Sequence, residues 1–271
     1  MSAATTLVTG VPVRSLRAII NIYAKEAKYE FLKMLRLPIY AVSTLAFPVM
    51  FYVLFGLLLN SRQAPLGGTT VAAYLIASYA TFGVMGAALF GFGVGVAVER
   101  GQGWLEVKRS SPMPPFAYFA AKIAMCLLFS AMITGSLLAL GFAFGGVRMS
   151  TMETLQLLGA LIGGSVPFCA MGLAISYFVG PNSAPAVVNC LYLPLSFASG
   201  LWFPIDMMPK LMQKIAPALP PFHLAQIALS IIGAKHHGTT LVHWEILLGF
   251  TLICLGVARI GFQRDEGKLY G

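Results

Sequence analysis

The chain has 271 residues, of which 58% are apolar and only 10% charged, with 18 Lys and Arg against 9 Asp and Glu. A mean hydropathy of +0.81 and so few charges exclude a water-covered surface, since soluble domains carry about 25% charged residues. The length holds roughly six membrane helices of about 20 residues with short connections, and leaves no room for a second catalytic domain.

Residues 1–13 carry no charge and read as a loose tail, and no signal peptide is expected because the first long apolar run begins only at Leu37. Over 14–36, Leu16, Ile19, Ile20, Tyr23, Ala27, Phe31 and Leu35 recur at helical steps, with Arg17, Lys25, Lys28 and Lys33 largely on other faces. That pattern predicts an amphipathic helix lying in the headgroup plane. A first span follows over 37–60, kinked at Pro48. Pro65, Gly67 and Gly68 mark a turn, and the second span runs over 71–98 with a small-residue spacing at Gly91 and Gly95. A charged segment over 99–114 leads to a third span over 116–144, from which Lys122 is expected to snorkel. The charge-free stretch from Thr154 to Ile205 is too long for one helix. It breaks at Gly180-Pro181-Asn182-Ser183-Ala184-Pro185 into spans over 154–179 and 185–205, bent at Pro167 and Pro194. A polar-flanked segment over 206–232 precedes the last span, 241–262.

The expected fold is an all-α polytopic membrane protein, a single transmembrane domain over 1–271. It has an N-terminal interfacial helix, six spans and re-entrant short helices on the outer side after the fifth. Orientation follows from the basic residues. With both termini inside, thirteen Lys and Arg fall on the inner segments and five on the outer ones, as cytoplasmic enrichment requires. The net charge of +9 therefore reports topology, and nucleic-acid binding is not expected.

Ion-coupled carriers usually hold an acidic residue or His within the bilayer, where an unpaired charge costs at least about 2.5 kcal/mol. None is evident. Glu99 and Glu245 read as solvated helix ends, which disfavours ion coupling, although backbone carbonyls also bind sodium. Cys126, Cys169, Cys190 and Cys254 sit in apolar stretches and read as small buried side chains. His223, His236, His237 and His243 read as solvated outer histidines; the His236-His237 pair seven residues before His243 could touch a metal, but no HExxH helix and no nearby carboxylate pair supports it. No catalytic residue and no metal site are expected.

Two segments carry function. On the inner side, Gln102 to Arg109 forms two helical turns ended by prolines. Glu99, Arg100, Gln102, Trp104, Leu105 and Glu106 then combine charges with a short apolar patch suited to a groove on another protein. On the outer side, the segment from Phe197 through Gly200, Leu201, Trp202, Phe203, Pro204, Asp206 and Pro209 leads into a short helix. Asp206 is expected to cap it, and Met208, Leu211, Met212 and Ile215 to share its apolar face.

These two segments, together with the amphipathic N-terminal helix, resemble the permease subunits of ABC type-2 exporters over almost the whole chain. The resemblance implies that 14–36 is an elbow helix, that Gln102 to Arg109 is a coupling helix touching an ATPase subunit, and that the segment after Phe203 is an outer gate. It also implies a pair of permeases meeting through spans one and five in the bacterial inner membrane. The path between them would be lined by spans two and five, where Phe82, Met85, Phe90, Asn189, Tyr192 and Phe197 are the candidates. Such aromatic, Met-bearing helices suit an apolar or amphipathic cargo. The chain lacks a phosphate-binding GxxxxGK[ST] loop, Gly267-Lys268 being followed by Leu269, so ATP and Mg are expected on a separate ATPase partner. The expected partners are that ATPase, a second copy of the chain, and membrane lipids. A polysaccharide or glycolipid exporter, an ATP-independent carrier or channel, and a scaffold recruiting an ATPase remain alternatives.

Overall fold

The Ser15 hydroxyl accepts a hydrogen bond from the Ala18 amide at 3.3 Å and opens α1, Leu16–Leu35, satisfying one of the free amides of a first helical turn. In this computed structural model the described residues are 15–59, 64–111, 113–114 and 116–269. The expected tail over 1–13, and Arg14, Arg62 and Pro112, lie outside them.

After α1 come α2 (Pro38–Leu58), α3 (Val71–Gly101), α4 (Trp104–Ser110), α5 (Ala117–Ala143) and α6 (Thr151–Phe178). They are followed by α7 (Ala184–Ala198), α8 (Lys210–Ile215), α9 (Pro220–Ile231) and α10 (Thr240–Leu269). A two-residue hairpin, Pro65–Leu66 against Thr69–Thr70, joins α2 to α3. Among the described residues, five helices are long and apolar enough to cross a bilayer: α2, α3, α5, α6, and α10 over Thr240–Asp265.

The expected fifth span over 185–205 is shorter than the apolar run. Helix α7 has 15 residues, about 22 Å at 1.5 Å per residue against about 30 Å of hydrocarbon. It stops because Gly200 turns the chain at φ +77, a backbone region that disfavours side chains, with Ile205 folded back so closely that an added Cβ would lie 3.2 Å from its Cβ.

Helix α3 is the centre of the molecule. Every residue from Val71 to Ala88 is buried, as expected of a helix that is apolar on all sides. Helices α2, α5, α6 and α9 pack around it. Two phenol groups pin it through its carbonyls: Tyr40 on α2 donates to Ala87 at 3.0 Å, and Tyr192 on α7 donates to Phe82 at 3.1 Å. Helix α2 widens into π-helical turns over Tyr52–Leu58, one turn beyond Pro48, whose missing amide and bulky ring disturb the regular bonding. Helix α3 does the same over Leu89–Val94. Helix α6 is interrupted between Gly163 and Val166, just before Pro167.

The outer faces of α2 and α10 are apolar and bare: Ile39, Phe47 and Leu58 on the first, Leu248, Leu252 and Ile253 on the second are half or more exposed. Faces of that size are incompatible with water and fit lipid or another apolar helix.

Candidate coupling site and outer gate

Helix α1 carries Glu26, Glu30 and Lys33 at steps of four and three, which places them on one face. That face meets the C-terminal end of α3 and the N-terminal end of α5. Lys122 on α5, fully buried, lies 2.6 Å from Glu30 Oε1 and 3.1 Å from Glu99 Oε1 on α3. Lys33 also pairs with Glu99, and with Glu30 at 3.0 Å. The Tyr118 hydroxyl donates to the other Glu99 oxygen at 2.5 Å. Two carboxylates and two ammonium groups thus form a neutral cluster. Burial works against the charge of Lys33, and the Glu99 and Glu30 carboxylates outweigh it, raising its pKa above the usual lysine value. Beside the cluster, Lys108 on α4 pairs with Glu26 at 3.2 Å and lies 4.9 Å from the Tyr118 ring centre. Helices α1, α3, α4 and α5 are therefore tied together by charge.

Two expectations are corrected here. Lys122 does not snorkel, because two carboxylates reach it inside the protein. Glu99 is not a solvated helix end, being 13% exposed and held by Lys33, Lys122 and Tyr118.

Arg100, one residue on, faces elsewhere. It donates to the carbonyls of Tyr177 at 3.2 Å and Val179 at 3.0 Å, and pairs with Asp265 at 3.0 Å. Those carbonyls end α6, where unpaired oxygens and the helix dipole favour a cation. Arg100 thus joins the ends of α3, α6 and α10.

Helix α3 ends at Gly101 and α4 starts after Gly103, which turns the chain at φ +75 and lets the short helix leave at an angle. On α4, Leu105 is half-buried and packs on the chain's own core, while Gln102, Trp104, Glu106 and Val107 are exposed, Trp104 by 54% and Val107 by 58%. The free apolar patch is therefore Trp104 with Val107. A cavity of about 450 Å³ lies behind α4, walled by Leu105, Phe119, Leu173, Leu255 and Phe262.

At the other end, Trp202 is inserted among aromatics. Its ring lies 4.5 Å from Phe51 and 5.3 Å from Phe82, and its Nε1 donates to the Ser196 hydroxyl at 3.0 Å. Gly200 is buried beside it, Pro204 is half-buried, and Phe203 is 51% exposed and edge-on to Phe197. Asp206 does not cap a helix. Lys235 at 2.8 Å and His237 at 3.1 Å clasp its carboxylate, and the Lys235 hydrogen bond, opposed by slight burial and helped by His237, lowers its pKa below the usual value. Pro209 precedes α8, on which Met212 packs inward while Leu211 and Ile215 are exposed.

The six path candidates divide. Phe82, Met85 and Tyr192 are buried, with Phe82 and Tyr192 stacked at 4.6 Å. Phe90 is half-buried, whereas Asn189 and Phe197 stand on the exposed face of α7. Cys190 beside them is also exposed, unlike the other three cysteines. His223 and His243 are not solvated either: they are 2% and 4% exposed and face each other, while His236 and His237 are exposed.

Sequence reasoning missed Glu26, Glu30 and Tyr118. The signal was present, because a lone Lys inside a long apolar helix requires a carboxylate partner, and the i, i+4, i+7 spacing on α1 supplies it.

Residues 26–232 match the family model described as ABC-2 type transporter. A protein of Bacillus subtilis (strain 168), YvfS, whose name marks it as a candidate transport permease, is 27% identical over 212 residues, covering 78% of this chain and 86% of its own.

Proposed function

The chain belongs to the ABC-2 type transporter family, and we propose that it is the permease of an ATP-driven exporter. It lies in the bacterial inner membrane with both termini in the cytoplasm. It works as a pair of identical chains with two ATPase subunits, which bind the ATP and Mg. The observation that carries this reading is the exposed Trp104–Val107 patch on a short helix braced from behind by Leu105, Lys108 and the buried charge cluster. A helix so mounted transmits a push instead of yielding to it. ATPase closure would press α4, and the charge-linked ends of α1, α3 and α5 would follow as a unit, favouring one of two arrangements of the spans.

On this reading α1 lies at the headgroup level with Arg17, Lys25 and Lys28 exposed to lipid. Helix α7 crosses part of the bilayer, and α8 and α9 complete its outer portion. The exposed faces of α2 and α7 meet the second copy, and the cargo passes between copies and leaves past Phe203. The half-buried and exposed aromatics along this route favour an apolar or amphipathic small molecule or lipid. A polysaccharide or glycolipid would need a wider, more polar route.

The test is copurification from the native membrane in mild detergent. The tagged chain is expected to bring down a Walker-motif ATPase in roughly equal amount, and Trp104→Asp with Val107→Asp to lose it while leaving the chain folded. An ATPase retained by that double variant would contradict the assignment of α4.

A further inference from the structure

Three polar contacts run in series through two buried imidazoles behind the segment that follows α7. His223 Nε2 lies 2.9 Å from the Pro217 carbonyl oxygen, the Nδ1 atoms of His223 and His243 are 2.7 Å apart, and His243 Nε2 lies 2.6 Å from the His237 carbonyl oxygen. A carbonyl oxygen only accepts, so each Nε2 must carry a proton for its contact to be a hydrogen bond. Two neutral imidazoles hold two ring protons in all. With both at Nε2, two Nδ1 lone pairs face each other at 2.7 Å, which is repulsive. A third proton between the Nδ1 atoms turns that contact into a charge-assisted N–H···N bond. A fourth would set N–H against N–H and force the rings apart.

We propose that His223 and His243 form a one-proton binding site, which fastens the segment carrying Pro217 to the start of α10 when occupied and slackens when empty. In the empty state one ring must either face its partner's lone pair or shift its proton to Nδ1, which leaves a carbonyl without a donor. One of the three links is lost in each case.

The links end where the outer segment is anchored. The carbonyl bound by His243 belongs to His237, whose ring holds Asp206 at 3.1 Å. The other Asp206 oxygen is held by Lys235, whose amide donates to the Gly67 carbonyl of the α2–α3 hairpin at 2.5 Å. The proton therefore acts on a belt that joins the hairpin, the segment after α7, and α10.

The charges around the pair do not replace the proton. His236 and His237 lie in the loop before α10, and the His237 ring is turned to Asp206 at 3.1 Å. The Asp206 carboxylate is already engaged by Lys235 and His237. On the other packed elements, Tyr74 of α3, Glu153 of α6 and Glu245 of α10 make no hydrogen bond to either ring, and Glu153 is engaged in capping α6. Burial holds His223 below the ordinary imidazole value. The Pro217 carbonyl opposes this and the charge of His243 adds to it, while relief of the Nδ1–Nδ1 contact favours the proton, so uptake is sought over the range in which imidazoles titrate. Asp206, held low, stays ionised through the same range.

This inference goes beyond the permease reading, and its test needs no ATPase. The full chain, labelled with 15N-histidine in lipid nanodiscs, is followed by NMR from about pH 8 to about pH 5, the range in which imidazoles titrate. The expected result is joint uptake of a single proton by the His223 and His243 rings, with both Nε2 atoms protonated at the acidic end. Independent uptake of two protons, or none, would overturn the proposal. Hydrogen exchange over residues 205–218, corrected for the intrinsic pH effect, is expected to slow about 5-fold on acidification, the effect of one hydrogen bond gained. His243→Gln should abolish that dependence and His236→Gln preserve it. A dependence that persists in folded His243→Gln contradicts the proposal, and if that variant does not fold, the NMR titration of the unaltered chain decides.

Discussion

Lys122 has no solvent contact and two carboxylates within 3.1 Å, so its removal leaves Glu30 and Glu99 sharing only Lys33. Breaking a buried pair from one side costs about 3–5 kcal/mol, whereas removing charge from both sides costs far less. Lys122→Met is therefore expected to lower the thermal midpoint of the detergent-solubilised chain sharply, and Lys122→Met with Glu30→Gln to recover much of the loss. Equal midpoints for the single and double variants would show that the cluster does not act as a charge-balanced unit. Glu99→Gln tests the same cluster through function. It keeps the shape and the Tyr118 contact but removes the charge that links Lys33 to Lys122, so transport is expected to fall more than folded protein does. At this scale the sequence was only partly legible. Glu99 and Arg100 are adjacent, yet they serve different neighbours of α3: one joins α1 and α5, the other caps α6. Spacing alone could not separate them, because their roles depend on which helix ends lie beside the end of α3.

Helix α4 is short, and its function depends on which residues it leaves free. Leu105 packs on the core while Trp104 and Val107 do not, so two kinds of damage separate. Leu105→Asp is expected to destabilise the chain itself by a few kcal/mol, through a charge placed against apolar neighbours. Val107→Asp is expected to leave stability within about 0.5 kcal/mol, as surface changes do, while weakening ATPase binding. Thermal midpoints and copurified ATPase read the two effects independently. The positions of the long helices were legible because apolar runs, prolines and the Gly180–Pro185 break mark them. The end of α7 was not, since the apolar run continues through Leu201, Trp202 and Phe203 while the backbone turns at Gly200. Hydropathy records the medium around a residue, and Trp202 stays in an apolar medium by folding back against Phe51 and Phe82. The buried histidine pair was hidden for the opposite reason: it lies in a polar-flanked stretch, and only the packing of α9 against α10 brings His223 to His243.

For the whole molecule, the proposed assembly pairs two copies through the exposed faces of α2 and α7. Cys190 stands on the exposed face of α7 with Asn189 and Leu193, while the other three cysteines are buried. If that face meets a second copy, a short thiol cross-linker applied to native membranes is expected to join two chains, and Cys190→Ser to prevent it. A chain that stays monomeric under those conditions would contradict pairing through α7. The account as a whole assigns movement to the permease and energy to a separate motor. The direct measurement compares two sets of sealed proteoliposomes, one holding the purified chain alone and one holding it with its copurifying ATPase, each supplied with ATP and Mg. The account expects no nucleotide hydrolysis and no concentrative movement of an amphipathic dye with the chain alone, and both with the ATPase present. Hydrolysis or uphill movement by the chain alone would contradict it.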